Sequence, residues 1–223
     1  MIEARLLEAQ AQAEALFAAI TDQQLIRAGR SERAINDDVH RLAAERFGVR
    51  SHWHKRIVRA GANTLLPYAE NPPDLVVADN DIVFLDLGPV FGQFEADVGR
   101  TFVVGDDPEM LRLAADLAPL HAACKAYWHA HPGLTGRDYF AEVCRAVEAR
   151  GWRYGGPHAG HLVGEFPHEN AFTEIPESYI GPGNGLAMDA PDAQGQRRHW
   201  ILEIHLVHPS GAFGGFLEEL LTL

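Results

Sequence analysis

Cysteine and basic residues are scarce in this chain, and a long apolar run is missing. The two cysteines, Cys124 and Cys144, fall in helix-like segments, so we expect reduced, structural thiols. Acidic residues outnumber basic ones by 31 to 19, a formal net charge of −12, so neither nucleic acid nor an anionic membrane is an expected partner. No apolar run approaches the ~18 residues of a membrane span. The N-terminus also lacks the apolar core of a signal peptide, so we expect a cytoplasmic location.

The hydrophobic pattern predicts one α+β domain that spans residues 1–223. Helices between pairs of strands favour a largely antiparallel sheet. Ser31 and Gly48 are suited to cap the second helix. The predicted helices cover residues 2–27, 31–48, 108–130 and 136–150, and the predicted strands cover 55–60, 74–78, 81–88, 94–105, 200–207 and 213–223.

Two aspartates lie in or beside apolar strand-like segments, where a charge is unusual. Asp86 lies in FLDLG, and Asp97 follows eleven residues later. On two strands joined by a turn near residues 89–92, both side chains can point into one pocket. The alternative is that Asp86 caps a turn and that Asp97 pairs with Arg100.

One histidine-containing segment and two glutamates extend this set. His161 and His168 lie in GGPHAGHLVGEFPHE, where glycines allow the backbone to approach a bound group. Glu203 lies in WILEIHLV and Glu218 in GGFLEELL; each could instead face water from an edge strand. Taken together, the set suits two neighbouring divalent cations and suggests hydrolysis. Its members are Asp86, Asp97, His161, Glu203 and Glu218.

Four segments in this order resemble the pita-bread metallopeptidases, which include methionine aminopeptidase, aminopeptidase P and prolidase. DLGPVFGQFEADVGRTFVVG is similar to the family's D-x-G…D-x-x-R-T-F, and AGHLVGEFPHE is similar to G-H-G-I-G…H-E. ILEIHLV resembles T-I-E-P-G, and FGGFLEELLTL resembles G-x-R-I-E-D-x-V-L-V. The resemblance implies a curved, mostly antiparallel sheet flanked by helices. The short spacing of the last two motifs favours the Xaa-Pro branch.

The resemblance also implies a role for each residue. Asp86 would chelate one metal, Asp97 and Glu218 would bridge both, and His161 and Glu203 would bind the other. Glu203 would also shuttle a proton, and His168 would hydrogen-bond the peptide carbonyl. The implied activity is a dinuclear exopeptidase that uses a metal-bridging hydroxide to remove an N-terminal residue or split a dipeptide.

The expected cofactors and partners follow from the same set. Oxygen-rich ligation favours two Mn²⁺ ions, while Co²⁺, Fe²⁺ and Zn²⁺ are compatible. The expected partners are a small peptide substrate and, as a family expectation, a second copy of the chain. Phe166, between the two site histidines, is a candidate wall of the substrate pocket.

The chain departs from the family pattern at two places. Tyr68 stands eighteen residues before Asp86, where family members have a substrate-contacting histidine; a phenol can donate a hydrogen bond but does not gain a proton near pH 7. The family's proline and glycine after the first glutamate are Ile204 and His205 here.

Two alternatives stay open from the sequence. Asp189 could be a ligand, which would make Glu203 the last ligand and leave Glu218 unexplained. We prefer Glu203 and Glu218, since both flanking strands then match, and residues 176–199 become a long loop that serves as a lid or a dimer contact. The rival functions are hydrolysis of a non-peptide amide and a non-catalytic binding module, although a binding module need not keep all five metal residues.

Overall fold

A six-stranded antiparallel sheet carries the candidate site in this computed structural model, which describes residues 2–166 and 175–223. The helices are α1 (Ile2–Asp22), α2 (Glu32–Phe47), α3 (Pro108–Ala130) and α4 (Gly136–Glu148). The strands are β1 (Ile57–Ala60), β2 (Asp81–Leu87), β3 (Val90–Phe91), β4 (Phe94–Glu95), β5 (Val98–Val104), β6 (Arg153–Tyr154), β7 (Ile201–Val207) and β8 (Gly214–Leu220). The order in the large sheet is β1-β2-β5-β8-β7-β6, and β3 pairs with β4 in a separate hairpin.

The predicted helices form, with one change of length. Ser31 caps α2 by accepting a hydrogen bond from the backbone N–H of Ala34, and Gly48 ends the helix with φ of 68°. The first helix stops at Asp22, before the predicted residue 27. Gln24 adopts a left-handed φ of 50°, which turns the chain out of the helix.

Two strand predictions were wrong in detail. Residues 74–78 form only an isolated bridge, Ser31 to Val76, because their backbone groups bond to the residues around the start of α2, such as Glu32 N to Leu75 O. The predicted strand 94–105 is divided into β4 and β5, and Asp97 lies between them.

The helices cover one face of the sheet and leave the other for the site. Leu85 of β2 is in the buried cluster that contains residues of α1 and α2. Leu202 of β7 and Leu217 of β8 are in the cluster that contains residues of α3 and α4. Since successive side chains of a strand alternate between faces, Asp86, Glu203 and Glu218 point to the opposite face.

Two further findings concern expectations from composition. Both cysteines are free thiols; Cys124 is buried and Cys144 is partly buried. Among the described residues, no helix combines the length and the apolar character that crossing a membrane requires.

Candidate metal centre

The register of the sheet places the site carboxylates in one row. Asp86 of β2 lies opposite Gly99 of β5, and Gly99 lies opposite Glu218 of β8. Glu218 in turn lies opposite Glu203 of β7. Directly opposed residues of neighbouring strands share a face. Asp97 comes two residues before Gly99, so the pleat directs it to this face as well.

Gly99 makes room for this row. A Cβ atom at this position would lie 2.5 Å from the ring of Phe216 and 3.2 Å from the Cβ atom of Glu218. Any larger residue would therefore push against the side chains on β8. The glycine allows carboxylates from β2 and β8 to share one pocket.

His161 reaches the carboxylates from a loop beside β7. Its backbone carbonyl accepts a hydrogen bond from Ile201 N, and its Nδ1 lies 2.7 Å from the carbonyl oxygen of Leu162. Its Nε2 lies 3.2 Å from Oδ2 of Asp97, and 3.8 Å and 3.9 Å from Oε1 of Glu203 and Glu218. The contact at Nδ1 thus fixes the ring, and Nε2 points toward the carboxylates.

A second imidazole, His54, enters the site from the opposite side, and sequence reasoning missed it. Its Nε2 lies 3.1 Å from Oδ1 of Asp97 and 3.4 Å from Oδ1 of Asp86. His54 precedes β1 in an irregular segment. No apolar strand pattern or glycine-rich motif distinguishes it from the other eleven of the twelve histidines.

These side chains border a cavity of about 230 Å³ among the described residues. Buried carboxylates form part of its wall, and aromatic rings and one leucine form much of the rest. Its lining residues are Trp53, His54, Tyr68, Asp86, Asp97, His158, His161, Leu162, Ser178, Tyr179, Glu203, Phe216 and Glu218.

The predicted substrate residues have different positions. Tyr68 lines the cavity and is 49% exposed; its hydroxyl oxygen accepts a hydrogen bond from the backbone N–H of Lys55 at 3.2 Å. Phe166 is not among the lining residues, and its backbone N–H donates to Gln93 O. His168 lies outside the described residues. The substrate roles of these three residues stay predictions.

Asp189 and Arg100 are occupied away from the cavity. Oδ2 of Asp189 accepts a hydrogen bond from Gly133 N at 2.8 Å on the surface, so the geometry favours Glu203 and Glu218 over Asp189. Arg100 pairs with Glu219 at 2.5 Å rather than with Asp97, and it donates to the carbonyl of Glu218 at 3.1 Å. Adjacent glutamates on β8 therefore face opposite sides of the sheet.

Comparisons with known proteins identify the family of this chain. A family model described as metallopeptidase family M24 matches residues 4–192. The chain belongs to this family. Glu203 and Glu218 lie beyond the matched residues, so their place beside Asp97 is a finding of the structure.

Relatives and solved structures share the fold. An Xaa-Pro dipeptidase of Pyrococcus horikoshii is 28% identical over 157 residues, which cover 70% of this chain and 43% of that protein. A prolidase from Thermococcus sibiricus has a TM-score of 0.70 at 22% identity, over 96% of this chain and 53% of that one. A methionine aminopeptidase from Thermotoga maritima has a TM-score of 0.69 at 18% identity, over 97% and 92%. The fold is the pita-bread fold, and the chain spans less than half of the curated dipeptidase.

Burial and mutual repulsion shift the pKa values of the four site carboxylates. Burial is the main cause that raises the pKa of Asp86, Glu203 and Glu218, and repulsion from Asp97 adds to it. Burial would also raise the pKa of Asp97, but His54 and His161 lower it below its ordinary value. Without metal, the pocket therefore favours protonated glutamates and a charged Asp97 between two imidazoles.

The chemistry of this donor set fits divalent metal ions. Two groups of donor atoms each lie within 4.8 Å of one another: His54, Asp86 and Asp97 form one, and Asp97, His161 and Glu218 form the other. Oδ1 of Asp86 is buried without a hydrogen-bond partner, which is costly unless a cation binds it. Carboxylate oxygen and imidazole nitrogen are the ligands of Mn²⁺, Fe²⁺, Co²⁺ and Zn²⁺ sites.

The raised pKa values predict a pH-dependent stability of the metal-free protein. A carboxyl group whose pKa is raised in the folded state makes its full contribution to stability below its unfolded-state pKa, here 4.5 for a glutamate. That contribution is lost as the pH rises through the folded-state pKa, which is about 8 for Glu203. Bound dications would remove this penalty. We expect the rise in Tm on adding Mn²⁺ to EDTA-treated protein to be larger at pH 8 than at pH 5.

Differential scanning fluorimetry at both pH values measures this rise, with Mg²⁺-free buffer and EDTA as the reference. An equal rise at pH 5 and pH 8, or no rise at either, would contradict the cluster of buried carboxylates as a metal centre.

Proposed function

We propose that this chain is a dinuclear metal-dependent exopeptidase that hydrolyses the N-terminal peptide bond of peptides or dipeptides, with Xaa-Pro substrates preferred. One observation carries the proposal: the two carboxylate oxygens of Asp97 face different groups of ligands. Oδ1 faces His54 beside Asp86, and Oδ2 faces His161 beside Glu203 and Glu218. A buried carboxylate placed in this way is suited to join two ions.

The ligand assignment follows from these neighbours. Asp86 would hold one ion, His161 and Glu203 the other, and Asp97 and Glu218 both. Four carboxylates would offset the +4 charge of two dications, and their oxygens favour Mn²⁺. When bound, the ions would polarise the scissile carbonyl and activate the attacking water.

Glu203 is suited to move a proton during the reaction. Its side chain is 14% exposed, and its Oε1 lies 3.8 Å from Nε2 of His161. Burial raises the pKa of this carboxyl above its ordinary value. A general base is most effective when its pKa lies near the working pH, so we assign to Glu203 the proton taken from water and passed to the leaving amine.

The cavity suits a short substrate. Its volume of about 230 Å³ is below the ~300–1,000 Å³ of sites for drug-sized ligands, which favours one or two amino-acid residues. Tyr68 would contribute a hydrogen bond to the substrate: burial raises the pKa of its hydroxyl, so the hydroxyl keeps its proton. Because Lys55 N–H donates to its oxygen, that proton is available to a substrate carbonyl.

Neighbouring segments would complete the substrate site. Ser178 and Tyr179, from the long loop 176–199, line the cavity, which supports a lid role for this loop. His168 would bind the peptide carbonyl, and Phe166 would contact the substrate side chain. We retain one catalytic domain over 1–223, a homodimer and a cytoplasmic location as parts of the proposal.

Adjacent glutamates on opposite faces of β8 provide a test of the activity with a matched control. With Mn²⁺ present, the protein should cleave Ala-Pro or Ala-Pro-Ala in preference to Met-Ala-Ser and Leu-Gly-Gly, and EDTA should abolish cleavage. Glu218→Gln should lower the rate at least about 100-fold, since it removes a charge from the reacting centre. Glu219→Gln, which removes the ion pair with Arg100 on the other face of the sheet, should stay close to the unmodified protein.

Mass spectrometry of the peptide products measures both variants. Equal losses in the two variants would refute the assignment of Glu218. No cleavage of any peptide by metal-loaded protein would instead favour a non-peptide amide substrate or a binding role.

A substitution of Glu203 separates proton transfer from metal binding. Glu203→Gln keeps a carbonyl oxygen toward the metal but cannot accept the proton. We expect kcat to fall by about 10²–10⁴-fold while the protein still binds metal. A variant that keeps more than a tenth of the normal kcat at saturating Mn²⁺ would show that another group moves the proton.

A further inference from the structure

His54 has the geometry of a metal ligand. Its Nε2 lies 3.4 Å from Oδ1 of Asp86 and 3.1 Å from Oδ1 of Asp97. Two ligands that each lie ~2.1 Å from the same ion are separated by roughly 3.0–3.4 Å in octahedral or tetrahedral geometry. Both distances match this separation, and the donor atoms of His54, Asp86 and Asp97 all lie within 4.8 Å of one another.

The other nitrogen of His54 is held as a ligating histidine requires. Its Nδ1 lies 2.7 Å from the carbonyl oxygen of its own successor, Lys55. A hydrogen bond from Nδ1–H to a backbone carbonyl fixes the tautomer and leaves Nε2 with its lone pair toward the metal. His161 shows the same arrangement, with Nδ1 at 2.7 Å from the carbonyl of its successor Leu162. The two imidazoles thus approach opposite oxygens of Asp97 in matching ways.

The backbone around His54 is hydrogen-bonded to the segment that directly follows β2, the strand that carries Asp86. Trp53 N donates to Gly88 O at 2.9 Å, and Val90 N donates to Ser51 O at 3.1 Å. A Cβ atom at Gly88 would lie 2.2 Å from Cδ2 and 2.4 Å from Nε2 of the His54 ring. The glycine of the D-L-G segment therefore leaves the space that the imidazole occupies.

The ring is also enclosed by its neighbours. The His54 side chain is 7% exposed. The rings of Trp53 and Tyr68 pack edge-on against it, with centroids 4.5 Å and 5.8 Å away. An imidazole fixed in this way loses little conformational freedom when it binds an ion.

We propose that His54 is a sixth protein ligand, which binds through Nε2 the metal ion held by Asp86 and Asp97. The inference rests on the proposed dinuclear site and adds one nitrogen donor to it. Each ion then has one imidazole, and Asp97 lies between the two. A nitrogen donor on each ion moves the metal preference toward Co²⁺ and Zn²⁺ relative to a site with one imidazole.

Zinc titration followed by NMR tests the assignment in the intact protein. Metal-free protein with ¹⁵N-labelled histidine is titrated with Zn²⁺, and two-bond ¹H–¹⁵N spectra report the state of each ring nitrogen. We expect two imidazoles to show zinc on Nε2 and a proton on Nδ1. His54→Gln should remove one of these signals and His161→Gln the other; His54→Asn replaces the first variant if His54→Gln does not fold.

A matched control comes from a third histidine at the cavity. His158 lines it and, within residues 2–166 and 175–223, pairs with one carboxylate, Glu203, at 3.5 Å, so His158→Gln should leave both zinc-bound signals in place. In a competition with a chelator, His54→Gln should weaken one of the two bound zinc ions at least about tenfold, and His158→Gln should leave both affinities unchanged.

The outcomes separate this inference from the proposed function. Two bound zinc ions with only His161 coordinated would overturn the role of His54 and leave the dinuclear site in place. No bound zinc at all would overturn both. Unchanged zinc affinity in His54→Gln would also refute the sixth ligand.

Discussion

The cost of burying four carboxylates in one pocket is the constraint on which the rest of this structure depends. Glu218 and Asp97 are 2% and 4% exposed, and Asp86 and Glu203 lie beside them. Isolated buried charges of one sign repel each other and lose their hydration. Two imidazoles and the protonation of glutamates offset part of this cost, and divalent cations would offset the rest. The fold maintains an arrangement that is unfavourable without bound ions.

Strand pairing in the sheet fixes the positions of these carboxylates. The row from Asp86 through Gly99 to Glu218 and Glu203 is set by the register of four hydrogen-bonded strands. Apolar residues between the acidic ones pack under the helices on the other face. A shift of register by one residue would bury acids among leucines and expose the core. Stability of the core and placement of the acidic side chains therefore depend on the same pairing.

Much of the fold and part of the site could be predicted from the sequence. Helices such as α4 and strands such as β7 form as expected, and Asp86, Glu203 and Glu218 stood out because each interrupts an apolar strand. Residues 74–78 failed as a strand because their backbone partners lie around the start of α2, which no local pattern reveals. His54 was missed for a similar reason: it lies forty-three residues before Asp97 in sequence, and its place at the site depends on the space beside Gly88 rather than on its own sequence neighbours.

The number of metal ions that the chain binds tests this account most directly. Protein purified without a histidine tag would be loaded with Mn²⁺, passed through gel filtration and measured by inductively coupled plasma mass spectrometry. The account predicts two ions per chain, and loss of both on Asp97→Ala, since that carboxylate belongs to both groups of candidate donor atoms. Fewer than one ion per chain after loading, or two ions retained in Asp97→Ala, would contradict it.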